Sequence, residues 1–416
     1  MLILWEPRRN PPFLMEAELA ELIAQKTPII PDSSFCLYQI THESQQELQE
    51  SLIVLERLFL LTQSSKDLGR PNNSLLIAAL LVKEFSWNSM VESSLESSSE
   101  SSSTSTCIRY SLIHGLDTSG YCCPRSEQKH ITRGLIEGYL KIASTRPGRR
   151  KRFYLMANSK PSLLFPKSQE NSTKKPLSGD ALLYFWTQRL SSIIPATTAP
   201  ATADNCKSPC CWIFVPPASL DSGKLTKIIE SSNGRWKLGL PFLRDELVKN
   251  AIPLIDEDAM KYHFLAMNQS DIKVGDFFDS FSCQSEFRNR ISAFMFVDIV
   301  HDNDNDDDDD VGDVQGELEG DVEKKDQTPD LEHDSQEDSK AAGWDEIKSA
   351  LMENSSFESK VAALKSTRAI VSLLEKFQVP CASFETNGRD FHDHAGKRKK
   401  ACVVAHSIQN LIKRKK

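Results

Sequence analysis

Two apolar segments separated by a serine-rich stretch constrain the fold most strongly. Residues 75–87, LLIAALLVKEFSW, are almost continuously apolar. This pattern indicates a buried strand, although a buried helix would share it. Residues 107–117, CIRYSLIHGLD, alternate well enough to be a second strand. Between them, SSLESSSESSSTST has no means of building a core, so residues 88–106 are predicted to be a disordered insert.

A helix is expected directly after the second segment. In residues 115–140, GLDTSGYCCPRSEQKHITRGLIEGYL, a turn of small and polar residues precedes apolar residues at helical spacing. Two strands followed by a helix predict an α/β (α+β) fold with a central mixed β-sheet flanked by helices. The turn carries Arg125 and Lys129, and amides that open a helix can hold phosphates together with cations. An ordinary loop has the same composition, so this stretch alone leaves the function open.

Other segments extend this pattern along the chain. They predict short strands at 35–40, 148–157, 211–217 and 293–300, and helices at 13–26, after the N-cap Ser178, and at 343–377.

The net charge of −8 conceals a strong asymmetry. Residues 302–338 are densely acidic, whereas KRKK occurs at 397–400 and again at 413–416. Such blocks are usually disordered interaction segments. The acidic run is either a solvated loop or a dock for a basic partner, for which histones are the abundant candidate. The two basic clusters resemble a bipartite nuclear-import signal, and a basic arm that touches DNA or an acidic chaperone surface is compatible with it.

The composition shifts predict four regions. These are a folded core at 1–300, an acidic disordered loop at 301–342, a helical segment at 343–380 that packs on the core, and a basic tail at 381–416.

Several functional classes find no support. No apolar run reaches the length of about 18 residues that a membrane helix needs. The ten cysteines are not spaced as a disulfide framework, so reduced thiols are expected. CKSPCC at 206–211 suggests zinc, but a structural site needs a second pair of ligands. Only Cys122 with Cys123, or His392 with His394, could supply it, so no metal is predicted.

Two further features have both a structural and a chemical interpretation. Asp256, Glu257 and Asp258 could be a loop face, but crowded carboxylates raise one another's pKa, which suits a general base. Trp186 and Trp236 could be core residues or an aromatic wall around a lysine stem.

Four blocks of the chain resemble the fungal histone H3 lysine acetyltransferases in their local sequence and in their order along the chain. The blocks are LDTSGYC at 116–122, LLFPKSQENSTKKPLSGDALLYFW at 163–186, IPLIDEDAMKYHF at 252–264 and VGDFFDSFSCQSEFR at 274–288. That family shares its fold with the CREB-binding-protein type acetyltransferases. The resemblance covers roughly residues 35–300 and implies acetyl-CoA as the co-substrate.

The resemblance also implies roles for individual residues. Asp258 matches the proton acceptor, with Glu257 beside it, Trp186 matches the wall of the substrate-lysine tunnel, and Lys261 matches the autoacetylated lysine. The positions that match acetyl-CoA contacts are Leu116, Asp117, Thr118, Arg125, Ser126, Glu127, Gln128, Lys129, Met156, Lys160, Lys175, Pro176, Leu177 and Phe185.

This chain departs from the family at three places. Leu163 replaces a tyrosine at the tunnel, the carboxylate block needs a one-residue insertion, and His263 stands where the family has another basic residue. These departures put the register of the block and the level of activity in question.

The implied function is acetylation of histone H3 in the nucleus. The expected targets are lysine fifty-six and N-terminal-tail lysines, with histone chaperones delivering H3–H4, in chromatin assembly, transcription regulation and the DNA damage response. The alternatives are a catalytically degenerate histone-binding protein and, on the basic tail alone, a general nucleic-acid-binding protein.

Overall fold

A computed structural model describes most of the chain outside its charged and serine-rich segments. The described residues are 12–30, 32–45, 53–65, 73–89, 106–122, 124–146, 148, 150–160, 162–194, 210–215, 222–232, 235–255, 259–267, 271–283, 291–300, 334–386 and 404–406.

A ten-stranded mixed sheet forms the centre of the described structure, in the order β10-β9-β1-β2-β3-β4-β5-β8-β6-β7. The pairs β4–β5 and β6–β7 are parallel and the other neighbours are antiparallel. The strands are β1 Ser33–Gln45, β2 Ile53–Ser65, β3 Ser74–Ser89, β4 Thr106–Thr118, β5 Arg150–Asn158, β6 Cys210–Phe214, β7 Trp236–Leu238, β8 Ile291–Val300, β9 Cys381–Phe384 and β10 Val404–His406.

Nine α-helices accompany the sheet in the described ranges. They are α1 Pro12–Lys26, α2 Gln128–Thr145, α3 Gly179–Ser191, α4 Ser222–Ser231, α5 Val248–Ala251, α6 Ala259–Met267, α7 Val274–Cys283, α8 Asp334–Met352 and α9 Lys360–Lys376. None of the described helices is long and apolar enough to span a bilayer.

The two faces of the sheet bury different apolar clusters, because successive strand residues point to opposite sides. In β8, Ala293, Met295 and Val297 belong to a first cluster that α1, α2 and α3 cover. Phe294 and Phe296 belong to a second cluster, which α5, α6 and α7 cover. A third cluster lies on β1–β3 and is covered by α8 and α9.

The predicted fold class is confirmed, and so are the four predicted strands and the strand assignment of residues 75–87. Sequence analysis missed β2, whose residues pair with β1 and β3 along their full length. Its sequence, IVLERLFLLTQSS, mixes charged residues into an apolar run. The partner of one of these charges lies on a neighbouring strand. Glu56 there pairs with the buried Lys83 at 2.7 Å.

The ends of two predicted regions differ in the structure. Helix α8 begins at Asp334, inside the segment predicted to be an acidic disordered loop. Strand β9, which the predicted boundary assigns to the basic tail, pairs with β1 through Phe384 opposite Phe35. Strand β9 forms there because sheet pairing extends past the change in composition. The remainder of the loop, the serine-rich insert at 90–105 and both KRKK clusters lie outside the described residues.

Candidate active site

Asp117 organises the end of β4. Its Oδ2 accepts hydrogen bonds from three consecutive backbone amides, those of Leu163 at 2.8 Å, Leu164 at 2.9 Å and Phe165 at 3.3 Å. Its Oδ1 accepts from the Thr118 amide and pairs with Lys174 Nζ, both at 2.7 Å. Five donors saturate this buried carboxylate. The carboxylate therefore holds the segment 162–178, here called the clamped loop, against the end of β4.

Further polar contacts fix the clamped loop to the turn after β4. Asn171 Nδ2 donates to the Ser119 carbonyl at 3.2 Å, and Thr173 Oγ1 donates to the Gly120 carbonyl at 2.5 Å. Gly120 has φ +84°, and a Cβ there would lie 2.6 Å from Asn171 Nδ2. Glycine is therefore required both by its backbone conformation and by the close approach of the loop.

The clamped loop is also braced by the segment between α8 and α9. Phe165 is fully buried and meets Phe357 edge to face, with ring centroids 4.8 Å apart. The Phe357 amide donates to the Pro166 carbonyl at 2.9 Å. The C-terminal helices therefore support the candidate site although they follow the acidic segment by sequence.

The start of α2 faces this loop. Arg125 Nη2 donates to the Thr173 carbonyl at 2.7 Å, which joins the turn before α2 to the clamped loop. Arg125, Ser126 and Lys129 are exposed, as a group that meets an anionic ligand must be. Residues 125–127 form a 3-10 turn and α2 begins at Gln128. The predicted order of strand, turn and helix is therefore confirmed.

The other predicted cofactor positions lie on the clamped loop and at or just after the ends of β4 and β5. Leu116, Thr118 and Met156 are half-buried on β4 and β5, whereas Lys160, Lys175, Pro176 and Leu177 are exposed. Ser159 Oγ donates to the Leu177 carbonyl at 2.6 Å and so ties the end of β5 to the loop. Leu116 packs against the first cluster and Met156 against the second, so these two positions lie on opposite faces of the sheet.

Buried polar atoms without partners indicate that this region suits a polar ligand. Gln128 Nε2 and Asn158 Oδ1, at the start of α2 and the end of β5, have no hydrogen-bond partner among the described residues. Buried polar groups are normally paired. A pyrophosphate and a pantetheine amide could supply such partners beside the exposed cations, so these residues fit acetyl-CoA.

Helix α3 carries the predicted aromatic wall. Trp186 is buried in the first cluster, and its ring meets that of Phe185 edge to face with centroids 5.3 Å apart. Arg189 lies over the Phe185 ring at 5.3 Å and pairs with Glu137 of α2. Trp236, the other tryptophan considered for such a wall, is a core residue that donates to Ser191 Oγ at 2.9 Å.

Glu137 fixes the relative positions of three helices. Besides Arg189, it pairs with Lys26 of α1 at 2.5 Å and Arg133 of α2 at 2.8 Å. Burial alone would raise the pKa of Glu137, but the hydrogen bonds and charges of these cations lower it below its ordinary value. An ionised Glu137 therefore holds α3, and with it Phe185, against α2.

Helix α6 carries Lys261 and His263. Both are buried, and the His263 ring lies 5.0 Å from the Phe277 ring and 4.9 Å from the Phe281 ring of α7. Burial lowers the pKa of His263, and a hydrogen bond with the Phe277 backbone partly opposes this. The predicted catalytic residues Glu257 and Asp258, with Asp256, lie outside the described residues. They connect Ile255 to the start of α6.

The two predicted catalytic elements pack on opposite faces of the sheet. Trp186 belongs to the first cluster, whereas Met260 and the ring partners of His263 belong to the second. Trp186 and the buried side of α6 therefore lie on different faces of the sheet. Leu163, which replaces the family's tyrosine, lies on the clamped loop against Gly115, where a Cβ would meet Leu163 Cδ2 at 2.6 Å.

Sequence reasoning missed four residues that shape the site, namely Glu137, Asn171, Lys174 and Phe357. Each has a partner far away in the sequence, and the sequence analysis assigned none of them a role, although Asn171 and Lys174 lie within the block 163–186. Cys122 and Cys211, two of the cysteines considered for zinc, are buried within the first cluster. Among the described residues, no group of three or more His, Cys, Asp or Glu could hold a metal.

Comparisons with known proteins agree with this geometry. The family model for the histone acetyltransferase KAT11-type domain matches residues 65–373. No curated protein matches the chain. Among solved structures, the crystal structure of Rtt109 from Aspergillus fumigatus matches with a TM-score of 0.59 and 15% identity. The match covers 86% of this chain and 96% of that one.

The structural match shows a shared fold, and the family model extends over most of the chain, including α8 and most of α9. The segment that braces the clamped loop therefore lies inside the matched domain. The chain belongs to the KAT11-type histone acetyltransferases, and it is a histone lysine acetyltransferase whose co-substrate is acetyl-CoA.

Proposed function

We propose that the protein acetylates histone H3, on lysine fifty-six and on lysines of the N-terminal tail, with help from histone chaperones that deliver H3–H4. The observation that supports this proposal is the clamped loop. Asp117 and Phe357 hold this loop next to the exposed Arg125 and Lys129. The family match supports histones as the substrate class. The solved neighbour Rtt109 has the same fold.

Acetyl-CoA supplies an activated thioester, and the cations around the turn would hold its phosphates. Arg125 and Lys129 are the exposed cations closest in sequence to the start of α2, and Lys160 and Lys175 would add further positive charge. Phe185 would contact the cofactor from α3. The neighbouring Trp186 would line the path of the substrate lysine.

The substrate amine must be neutral before it attacks the thioester carbonyl. A lysine amine is protonated at pH 7, so the site must accept its proton or favour its neutral form. Asp258, with Glu257 beside it, is the proposed acceptor. A C–N bond then forms to the acetyl group, the C–S bond breaks, and the coenzyme A thiolate leaves. Lys261 is the proposed site of autoacetylation.

The internal acidic segment and the basic tail suit a nuclear enzyme. The two KRKK clusters would bind an import receptor or DNA, and the acidic segment 301–333 would attract basic histones. The proposed setting is chromatin assembly, transcription regulation and the DNA damage response.

The test combines purified protein, acetyl-CoA and H3–H4, with and without a histone chaperone, and maps acetyl groups by mass spectrometry. We expect acetylation of H3 lysine fifty-six that increases with the chaperone. The matched control is the double variant Asp258→Asn with Trp186→Ala. Acetylation of H3 no greater than in this control would contradict the proposal and support a non-catalytic histone-binding protein.

A further inference from the structure

A group of cations lies at the end of the sheet where β5 begins. Arg109 of β4 lies opposite Lys151 of β5 in their parallel pairing. The exposed Gly148 lies beside both, because a Cβ there would be 3.9 Å from Arg109 Nε and 3.9 Å from Lys151 Cε. Lys151 Nζ donates to the Ser144 carbonyl of α2 at 2.6 Å. The clamped loop is tied to the other end of β5, roughly 25 Å away along the strand.

Three of these cations, Arg109, Arg146 and Lys151, are here called the basic cluster, and they repel one another. Burial lowers the pKa of Lys151, and the nearby Arg109 and Arg146 lower it further, to about 8. Arg146 pairs with the buried Glu84 at 2.6 Å, but Glu84 also pairs with Arg57 at 2.9 Å. One carboxylate of β3 is therefore shared between two cations and offsets each of them only in part.

Other carboxylates nearby do not cancel the charge of the basic cluster. Glu18 of α1 is exposed and acts on Arg146 through its charge. Asp298 of β8 is bonded to Arg150 at 2.6 Å and to Arg152 at 2.5 Å, so its two oxygens are already used. Even when Glu18 and the shared carboxylate of β3 are counted in full, the three cations of the cluster leave an excess of positive charge.

The acidic segment of the chain begins beside the basic cluster. Strand β8 ends at Val300, which lies opposite Arg150, and Ile299 lies opposite Lys151. The sequence continues with aspartate at seven of the nine positions 302–310. Position 302 is three residues beyond Ile299, so the chain carries it no further than about 10 Å from that residue. A run of aspartates is therefore tethered within reach of the three cations.

We propose that the aspartates of residues 302–310 dock on the basic cluster. Charge complementarity and the short connection to β8 select this occupant, because a tethered ligand binds at a high effective concentration. Docking would offset the repulsion among Arg109, Arg146 and Lys151 and would exclude other polyanions from this end of the sheet. The later carboxylates of the acidic segment, at 313–332, lie further along the chain, so this contact leaves them for a basic partner.

The proposed contact has three measurable consequences. It should slow amide hydrogen exchange between α2 and β5, because a docked segment restricts local opening there. It should weaken as the salt concentration increases, since exposed charges are screened. It should leave the affinity for acetyl-CoA unchanged, because the predicted cofactor positions on the clamped loop lie at the other end of β5.

The experiment compares full-length variants whose net charge changes equally. The docking variant replaces the five aspartates at 306–310 by asparagine. The matched control replaces five later carboxylates of the same segment by their amides, namely Glu317, Glu319, Asp321, Glu323 and Asp326. Arg109→Gln removes one cation of the basic cluster. Hydrogen-exchange mass spectrometry follows the peptide 144–152 at low and high salt, and fluorescence anisotropy follows the binding of a labelled DNA duplex.

We expect exchange of this peptide at low salt to accelerate by about fivefold in the docking variant and by less than about twofold in the control. The difference should disappear at high salt. Arg109→Gln should cause part of the same acceleration and add little to that of the docking variant, because both changes remove one contact. Equal acceleration in the docking variant and the control, or fully additive effects, would overturn the proposal.

The DNA duplex distinguishes an external polyanion from the chain's own aspartates. The docking variant should bind DNA more tightly than the control, and Arg109→Gln should remove this gain. If DNA binds the wild type and both segment variants equally and slows exchange of the peptide in all of them, the basic cluster is a DNA site and the proposal fails. These measurements need no histone, so they decide the proposal whether or not the protein acetylates H3.

Discussion

The clamped loop and the α6–α7 pair are built on different physical principles. The loop is held mainly by buried polar contacts, in which Asp117 alone collects five donors. The α6–α7 pair is held by rings, since His263 lies between Phe277 and Phe281. Directional polar bonds fix the position and orientation of the loop, because each hydrogen bond requires a defined distance and angle.

The α6–α7 pair faces a different requirement. Its inner side is apolar and closely packed, whereas its outer side leaves Tyr262 and Leu265 exposed. Ring packing fixes the helices without using their outer surface.

The largest effect is expected at Phe357, which contacts the clamped loop both through its ring and through a backbone hydrogen bond. Phe357→Ala removes a fully buried ring from beneath Phe165 and should lower the free energy of unfolding by about 3–5 kcal/mol. The loop should also lose its brace, so the Kd for acetyl-CoA should increase. Urea denaturation and calorimetry measure the two effects. A stability loss below that of Val361→Ala, an exposed control, would contradict the brace.

The next largest effect tests the polar clamp. Asp117→Asn leaves the buried ammonium of Lys174 without its counter-charge and weakens the bonds to three amides. We expect a loss of about 3 kcal/mol in unfolding free energy and weaker acetyl-CoA binding. Asp271→Asn is the control, because Asp271 is 77% exposed and its pair with Lys249 spans 3.6 Å. Equal effects of the two substitutions would show that the clamp contributes nothing.

His263 should make the α6–α7 pair sensitive to acid. Burial lowers its pKa in the folded state below the ordinary value of 6.5, so between these values the unfolded chain binds a proton that the folded chain does not. Stability should therefore be full above pH 6.5 and fall as the pH decreases below it, by at most about 1.4 kcal/mol per pH unit. Thermal unfolding between pH 5 and 8 measures this slope.

The matched variant is His263→Phe, which keeps a ring between Phe277 and Phe281. Its stability curve should lack the part of the slope that His263 contributes. A curve parallel to that of the wild type would show that other groups cause the acid sensitivity.

The smallest effect is expected on the outer side of α6. Tyr262→Ser and Leu265→Ser should each change the unfolding free energy by no more than about 0.5 kcal/mol, because both side chains are exposed. Chemical denaturation measures this. A larger loss would mean that these two side chains support the fold.

The sequence by itself determined the fold class, most of the strands and the turn before α2. Four of its sequence blocks also indicated the family. These features depend on periodicity and local composition, which the chain displays directly. It also predicted Asp117 to be a ligand contact. The structure assigns its carboxylate to the clamped loop, a role that requires knowing which amides lie opposite.

Only the tertiary structure decided the contributions of β2, β9, Glu137, Lys174 and Phe357. Lys174 lies 57 positions from Asp117, and Phe357 meets a loop nearly two hundred residues earlier. No local pattern encodes such partners, because the energy of a contact depends on what the folded chain brings within a few ångströms. The exposure of Tyr262 and Leu265 likewise depends on the tertiary structure, because α7 covers the other side of α6.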